Sequence, residues 1–143
     1  MKRKINLQFF VVALVAVLAT LGLVTAVCYQ VFQAQVMEDL EAYGHVLNKT
    51  DDTSFQVDNL RVTVISKDGE VTYDSDANEG EMDNHGSRPE IEDAFKTGEG
   101  EAVRRSQTMD KNTFYYALRM DNGDVLRVAR EAGSIWKMIS EAV

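Results

Sequence analysis

The chain has 143 residues, with 23 Asp and Glu against 15 Lys and Arg, and its formal net charge is −8 at pH 7. This acidity argues against nucleic-acid binding, because neutralising phosphate groups requires a basic face. The single cysteine excludes a disulfide framework within one chain, and the single proline excludes a proline-rich stalk.

The first element is an uncharged apolar run over residues 9–29, FFVVALVAVLATLGLVTAVCY. About 20 such residues in a helix are long enough to cross a bilayer core of roughly 30 Å. Lys2, Arg3 and Lys4 precede the run, and a short basic flank is retained in the cytoplasm. We therefore expect residues 1–8 in the cytoplasm, residues 9–29 in the cell membrane as a single span, and the main domain outside the cytoplasm.

Two other interpretations of the apolar run stay open. A cleaved signal peptide has a similar plan, but its apolar core is usually shorter and ends in a small-x-small site. A lipoprotein cleavage box needs a small residue before its cysteine, whereas Val27 precedes Cys28 here. The sequence favours an uncleaved anchor, with a secreted form released by signal peptidase as the alternative.

Residues 30–58 predict a juxtamembrane signalling helix followed by a polar loop. Apolar side chains recur at three- and four-residue steps, at Phe32, Val36, Leu40, Tyr43 and Leu47. No helix breaker separates this stripe from the membrane run, so one continuous helix is expected. The stripe has two candidate partners, the sheet of its own domain and the same helix of a second chain. Phe32, Val36 and Tyr43 have the spacing of a two-helix seam and are our predicted dimer contacts.

Five short strands are predicted after this loop. The runs at 61–65 and 71–73 flank a turn at Lys67-Asp68-Gly69, and further strands are expected at 102–108, 113–120 and 125–129. Pro89 opens a short helix that Gly98 or Gly100 ends. The order predicts an α+β fold, a PAS-like or Cache-like five-stranded antiparallel sheet with flanking helices over residues 59–131. Residues 132–143 are predicted to form a C-terminal helix.

Short motifs occur in a specific order between about Leu60 and Arg130. They are Asp68-Gly69, Asp74-Ser75, Asn84-His85, Arg88-Pro89-Glu90-Ile91, Gly98, Gly100, Arg105-Ser106, Tyr116-Ala117 and Val125-Leu126-Arg127. This set resembles the extracytoplasmic domain of PhoR-type sensor histidine kinases, the membrane sensors of two-component systems. The resemblance implies that residues 132–143 lead toward a second membrane helix. Neither that helix nor the kinase domains of the family are expected within these 143 residues.

The resemblance also implies partners and limits. Sensors of this family work as dimers, so we expect a homodimer or a dimer with a full-length kinase, and an unknown small ligand or envelope protein as the stimulus. No enzymatic activity and no cofactor are expected of these residues, because no nucleophile–base pair, zinc spacing or phosphate loop is present. An anchored extracytoplasmic binding module without signalling output is the alternative.

The predicted ligand-binding residues are Asp74, His85, Arg88, Arg104 and Tyr116. A histidine titrating near pH 6.5 among carboxylates suits a sensor, and the donor fork of Arg104 suits an anion. Pairing of the strand arginines with carboxylates is the simpler alternative, as is Arg88 bridging to Asp74 or Glu92. Asn84 or Ser87 is expected to cap the short helix.

Two further patterns in this region fail on inspection. The segment from His85 to Pro89 echoes a kinase phosphorylation box, but its proline comes one position early and an acidic loop precedes it. The loop from Asp74 begins with calcium-ligand spacing, yet Glu79 stands where a glycine is required. We predict no metal site and a solvated acidic loop.

Overall fold

The structure is a computed structural model that describes residues 2–50, 57, 59–77, 80, 82–105 and 111–131. Its elements are α1 (Lys2–Asn48), β1 (Arg61–Ile65), β2 (Val71–Asp74), α2 (Pro89–Thr97), β3 (Glu99–Arg105), β4 (Asn112–Arg119) and β5 (Val125–Glu131). The chain divides into two compact units, residues 1–35 and 36–143. The predicted C-terminal helix at 132–143 and residues 106–108 of the strand predicted at 102–108 lie outside the described residues.

The first unit consists of the apolar part of α1, which is a single unbroken helix as predicted. Its span has a mean hydropathy of 2.7 and is long and apolar enough to cross a membrane, a criterion that a secretion signal also meets. The hydroxyls of Thr20 and Thr25 donate to the carbonyls of Ala16 and Leu21, at 2.8 Å each. These bonds satisfy the polar side chains within the helix, as a lipid environment requires.

The second unit contains a five-stranded antiparallel sheet in the order β2-β1-β5-β4-β3, which confirms the predicted fold class. Strand β5 lies at the centre and pairs with β1 from Arg61↔Ala129 to Ile65↔Val125. All its residues from Val125 to Arg130 are buried. Two of them, Arg127 and Arg130, are charged, so the centre of the sheet carries a guanidinium group on each face.

The part of α1 that belongs to the second unit packs on one face of this sheet. A Cβ on Gly44 would lie 3.0 Å from Cε1 of Tyr116, so the glycine permits close approach of the helix. Arg130 Nη1 lies 3.8 Å from Asp39 Oδ2, and its guanidinium lies 5.6 Å from the centroid of the Tyr43 ring. From Val36 onward the apolar stripe therefore packs on the domain's own sheet, the first of its two candidate partners.

This packing bears on one residue of the predicted dimer seam. Val36 is only 3% exposed, so in this chain its side chain packs inside the domain. Tyr43 is 39% exposed, and the contacts predicted at Tyr43 and Phe32 stay predictions. The three- and four-residue steps of the stripe suit a helix packed on a sheet as well as a two-helix seam.

Helix α2 packs on the opposite face. Its Ile91 and Ala94 join Ile65, Ala117 and Val125 in a buried apolar cluster. Gly98 ends the helix with φ 103°, and its N–H donates to the carbonyl of Ala94 at 3.0 Å. Because β3 begins directly after this glycine, it starts at Glu99, three residues before the predicted strand.

Close backbone approach holds α2 against β3. A Cβ built on Gly100 would lie 2.1 Å from the carbonyl oxygen of Glu90 and 3.0 Å from Cβ of Asp93. Real Cβ atoms do not approach a carbonyl oxygen so closely, so only glycine fits this position of β3 without a shift of the helix.

The loop before α2 is fastened to the β1–β2 turn. Asn84 donates its Nδ2–H to the carbonyl of Asp68 at 2.9 Å and accepts the N–H of Gly86 at 2.8 Å, while the N–H of His85 donates to Gly69. The predicted capping of α2 by Asn84 or Ser87 is therefore wrong: the N-cap residue is Arg88, without a side-chain cap. The Asn84 amide is used to position His85 instead.

Candidate ligand site

Five charged side chains meet on the α2 face of the sheet and form what we call the ionic cluster. Its members are Arg61, Asp74, Glu90, Arg104 and Arg127. They come from β1, β2, α2, β3 and β5, so the cluster joins every element on this face except β4. Strand alternation places Arg61, Arg104 and Arg127 on the same side of the sheet as α2.

The carboxylate of Glu90 is fully buried and lies between two arginines. Arg104 holds it in a bidentate fork, Nη1 to Oε2 at 3.0 Å and Nη2 to Oε1 at 2.5 Å. Arg127 Nη1 approaches Oε1 at 3.4 Å. Glu90 stands in the first turn of α2, where the partial positive charge of the helix N-terminus favours a carboxylate.

The carboxylate of Asp74 is the second acceptor of the cluster. Arg61 Nε donates to both its oxygens at 3.1 Å, and the N–H groups of Asp76 and Ala77 donate to Oδ1. Burial opposes ionisation, but the hydrogen bonds from Asp76, Thr63 and Arg61 together lower the pKa of Asp74. The predicted bridge from Arg88 to Asp74 is therefore replaced by one from Arg61.

Thr63 connects the two carboxylates. Its hydroxyl donates to Asp74 Oδ2 at 2.9 Å and accepts from Arg127 Nη2 at 3.2 Å. The ring of Tyr115 completes the arrangement, with the guanidinium carbon of Arg104 at 3.9 Å from its centroid and that of Arg127 at 5.2 Å. The cluster is thus one connected network rather than separate ion pairs.

His85 adjoins this network as a neutral group. It is 5% exposed, and burial together with the positive charges of Arg127 and Arg88 lowers its pKa to about 4. The sequence predicted a histidine among carboxylates that titrates near pH 6.5, whereas burial and the charges of neighbouring arginines hold the pKa of His85 well below that value. Its Nδ1 is buried without a hydrogen-bond partner, as is Nε of Arg127.

The low pKa of His85 predicts an acid-sensitive fold. In the unfolded chain the ring takes up a proton near pH 6.5, whereas the folded state takes it up only near pH 4, so stability falls as the pH drops between these values. From about pH 7 to about pH 5 we expect a loss of about 2 kcal/mol in the free energy of unfolding. Urea denaturation of the full chain in detergent micelles at each pH measures it.

The matched comparison is His85→Gln, which keeps a polar side chain but cannot titrate. Its stability is expected to change much less over the same pH range than that of the parent chain. Equal pH dependence in both proteins would contradict the burial of a neutral histidine.

An open cleft of about 500 Å³ lies beside the cluster, where β1 begins and β2 and β5 end. Its lining includes Arg61, which belongs to the cluster, and Tyr115, which contacts the cluster. Ser75, Asp76 and Glu131 contribute further polar groups. Clefts of this size suit a small molecule. In the described part of the chain, no group of three or more His, Cys, Asp or Glu is placed to hold a metal ion.

The structure brings together only part of the predicted site. Asp74, Arg104 and His85 converge, and Arg88 is half-buried near His85, whose pKa its charge lowers. Tyr116 lies on the other face of the sheet toward α1, because adjacent residues of a strand point in opposite directions. There, burial and the charges of Glu99 and Glu41 raise its pKa.

Sequence reasoning missed several members of this site. They are Arg61, Thr63, Glu90 and Tyr115, together with Arg127, which was considered only as a strand arginine. Glu90 carried a weak signal, since it stands beside Ile91 and four residues before Ala94, on the apolar side of α2.

The comparisons with known proteins agree with this architecture. The family model of single Cache-like domains matches residues 32–126, well over half of the chain. No curated protein and no solved structure matches the sequence. The matched region contains the last part of α1, strands β1 to β4, α2 and the start of β5. It includes four of the five members of the ionic cluster, and Arg127 lies one residue beyond it. The chain therefore belongs to the single Cache-like family and carries a sensor domain of the extracytoplasmic kind found in signalling receptors.

Proposed function

We propose that this chain is the extracytoplasmic sensory part of a membrane-bound sensor histidine kinase of the PhoR type, and that it detects a small ligand. The family supports a sensor, and the ordered motifs around Asp68-Gly69 and Arg88-Pro89-Glu90-Ile91 support the kinase context. The observation that carries the ligand role is the buried, arginine-rich cluster beside an open cleft. ATP binding and phosphoryl transfer are assigned to a kinase segment or partner, and none to these residues.

A chimera tests this function. The chain replaces the sensor of a histidine kinase whose autophosphorylation is measured in membranes. Arg127→Lys keeps the charge but loses the planar fork, so it is expected to change the basal phosphorylation level severalfold. Arg119→Lys is the control, because this arginine is exposed and, among the described residues, its guanidinium donates to the carbonyl of Phe95 at 2.9 Å. Equal output from both variants and the parent would favour the alternative, an anchored binding module without signalling.

The orientation of the domain is a separate proposal with its own prediction. In a Cys28→Ser background, Lys96→Cys places a thiol where the side chain is 68% exposed. A membrane-impermeant maleimide is expected to label it in intact cells, since the basic flank before the apolar helix keeps the N-terminus in the cytoplasm. Labelling only after lysis would place the domain in the cytoplasm and contradict the proposal.

Dimerisation is also proposed, with a seam that differs from the one predicted from sequence. Ala42 and Val46 are exposed and four residues apart on α1, whereas Val36 and Leu40 are buried. We expect disulfides between chains to form readily with cysteine at 42 or 46 and poorly at 36 or 40, in the Cys28→Ser background. Weak crosslinking at all four positions would mean that this part of α1 does not contact a second copy.

A further inference from the structure

The carboxylate of Glu90 occupies the space between two arginines that come from different strands. Its side chain is fully buried, that of Arg127 is 4% exposed, and that of Arg104 is 28% exposed. Burying such charges costs desolvation free energy, so an ion pair of this kind is a weak reason for stability by itself. Two arginines placed in this way could hold the carboxylate of a ligand, but here the carboxylate that they hold is the side chain of Glu90.

Of the two arginines, Arg127 makes the weaker contact with Glu90. Its contact with Glu90 is 3.4 Å, against 3.0 Å for the longer of the two bonds from Arg104. Its Nε is buried and has no hydrogen-bond partner among the residues that the structure describes. Within the ionic cluster three guanidinium groups face two carboxylates, so Arg127 has donor capacity and positive charge available to a further acceptor.

The cleft lies next to this arginine, which does not itself line it. Tyr115 lines the cleft, and its ring contacts the guanidinium groups of Arg104 and Arg127. Arg61 lines the cleft as well and engages Asp74 through Nε. A small acid in the cleft would therefore contact Arg61 and the ring of Tyr115, whose centroid lies 5.2 Å from the guanidinium carbon of Arg127.

We propose that Glu90 is an internal ligand of Arg127, and that a small carboxylate entering from the cleft competes with it. Binding of the ligand to Arg127 would break the contact between Glu90 and Arg127, which joins α2 to the central strand. This contact lies in the first turn of α2, where the helix has no side-chain cap. The proposal rests on the proposed sensory function for its signalling role, but the binding itself does not depend on it.

Glu90→Gln tests the competition, because it removes the internal charge and keeps the shape. The full chain in detergent micelles is titrated with sodium acetate against sodium chloride at constant ionic strength, and its thermal midpoint is recorded. Removal of the competitor should lower the half-saturating acetate concentration by at least about tenfold relative to the parent chain. Glu92→Gln is the matched control, since this exposed carboxylate on the same helix pairs with Lys96 and should leave the response unchanged.

Two further variants keep the result decisive. Glu90→Asp draws the charge back from Arg127 and should give an intermediate acetate response, which serves if Glu90→Gln does not fold. Adding Arg127→Gln to Glu90→Gln or Glu90→Asp should abolish the response. An acetate response in the Glu90 variants equal to that of Glu92→Gln would overturn the proposal, as would one that survives Arg127→Gln.

Failure here and failure of the proposed function are distinguishable. The acetate titration involves no kinase, and the chimera reports on Arg127 whether or not acetate binds. Acetate binding with a silent chimera would leave an anchored carboxylate-binding module, whereas a responsive chimera without acetate binding would leave a sensor with another stimulus.

Discussion

Replacement of Arg127 by methionine is expected to lower the free energy of unfolding by about 3–5 kcal/mol, the range for removing one partner of a buried ion pair. The change removes two hydrogen bonds that Arg127 donates, one to the Glu90 carboxylate and one to the Thr63 hydroxyl oxygen. Methionine fills much of the volume, so the loss reports on charge and hydrogen bonding more than on a cavity. Urea denaturation of the full chain in micelles, followed by near-ultraviolet circular dichroism, measures it.

The control for this prediction is Arg119→Met. Arg119 is exposed, and among the described residues its guanidinium bonds the carbonyl of Phe95, so its loss should cost under about 1 kcal/mol. If the two variants were equally stable, Arg127 would not be buried in a charged network.

Replacement of Gly100 by alanine is the second change with a large expected effect. The new methyl group would stand 2.1 Å from the Glu90 carbonyl oxygen, and this neighbour is backbone that cannot rotate away. Helix α2 must shift, and we expect a loss of about 2–3 kcal/mol, as for overpacked cores. The same urea titration measures the loss.

Gly80→Ala provides the comparison, because a Cβ at Gly80 meets nothing within 4 Å. Its stability should change by no more than about 0.5 kcal/mol. A Gly100→Ala protein as stable as the Gly80→Ala protein would show that α2 does not approach β3 as described.

The strands and helices followed from the sequence because their signals are local. The β-branched run of β1 and the apolar face of α2 each lie within a few consecutive residues, and the αL position of Gly98 suits the residue that lacks a Cβ. The start of β3 was missed, since Glu99 and Gly100 are poor strand formers by propensity and become strand residues through pairing with Leu118 and Ala117.

The ionic cluster was harder to predict, because its partners are far apart in the chain. Arg127 and Thr63 are 64 residues apart in sequence, and Glu90 and Arg127 are 37 apart. Only strand order brings them together, and no local pattern specifies that β5 pairs with β1. The choice between Tyr115 and Tyr116 depends on a one-residue register, which reverses every side chain of a strand.

The placement of two arginines three residues apart on β5 has a mechanical consequence. Arg127 engages the short helix on one side of the sheet, and Arg130 engages Asp39 and Tyr43 of the long helix on the other. Both arginines belong to β5, so a displacement of this strand along its axis would change the contact with Glu90 and the contact with Asp39 together. The ion pair between Arg130 and Asp39, at 3.8 Å, is already near the distance limit for such a contact, so a sub-ångström displacement would break it. The contacts on the two faces of the sheet are therefore linked through β5 itself, across the thickness of the sheet rather than around its edge.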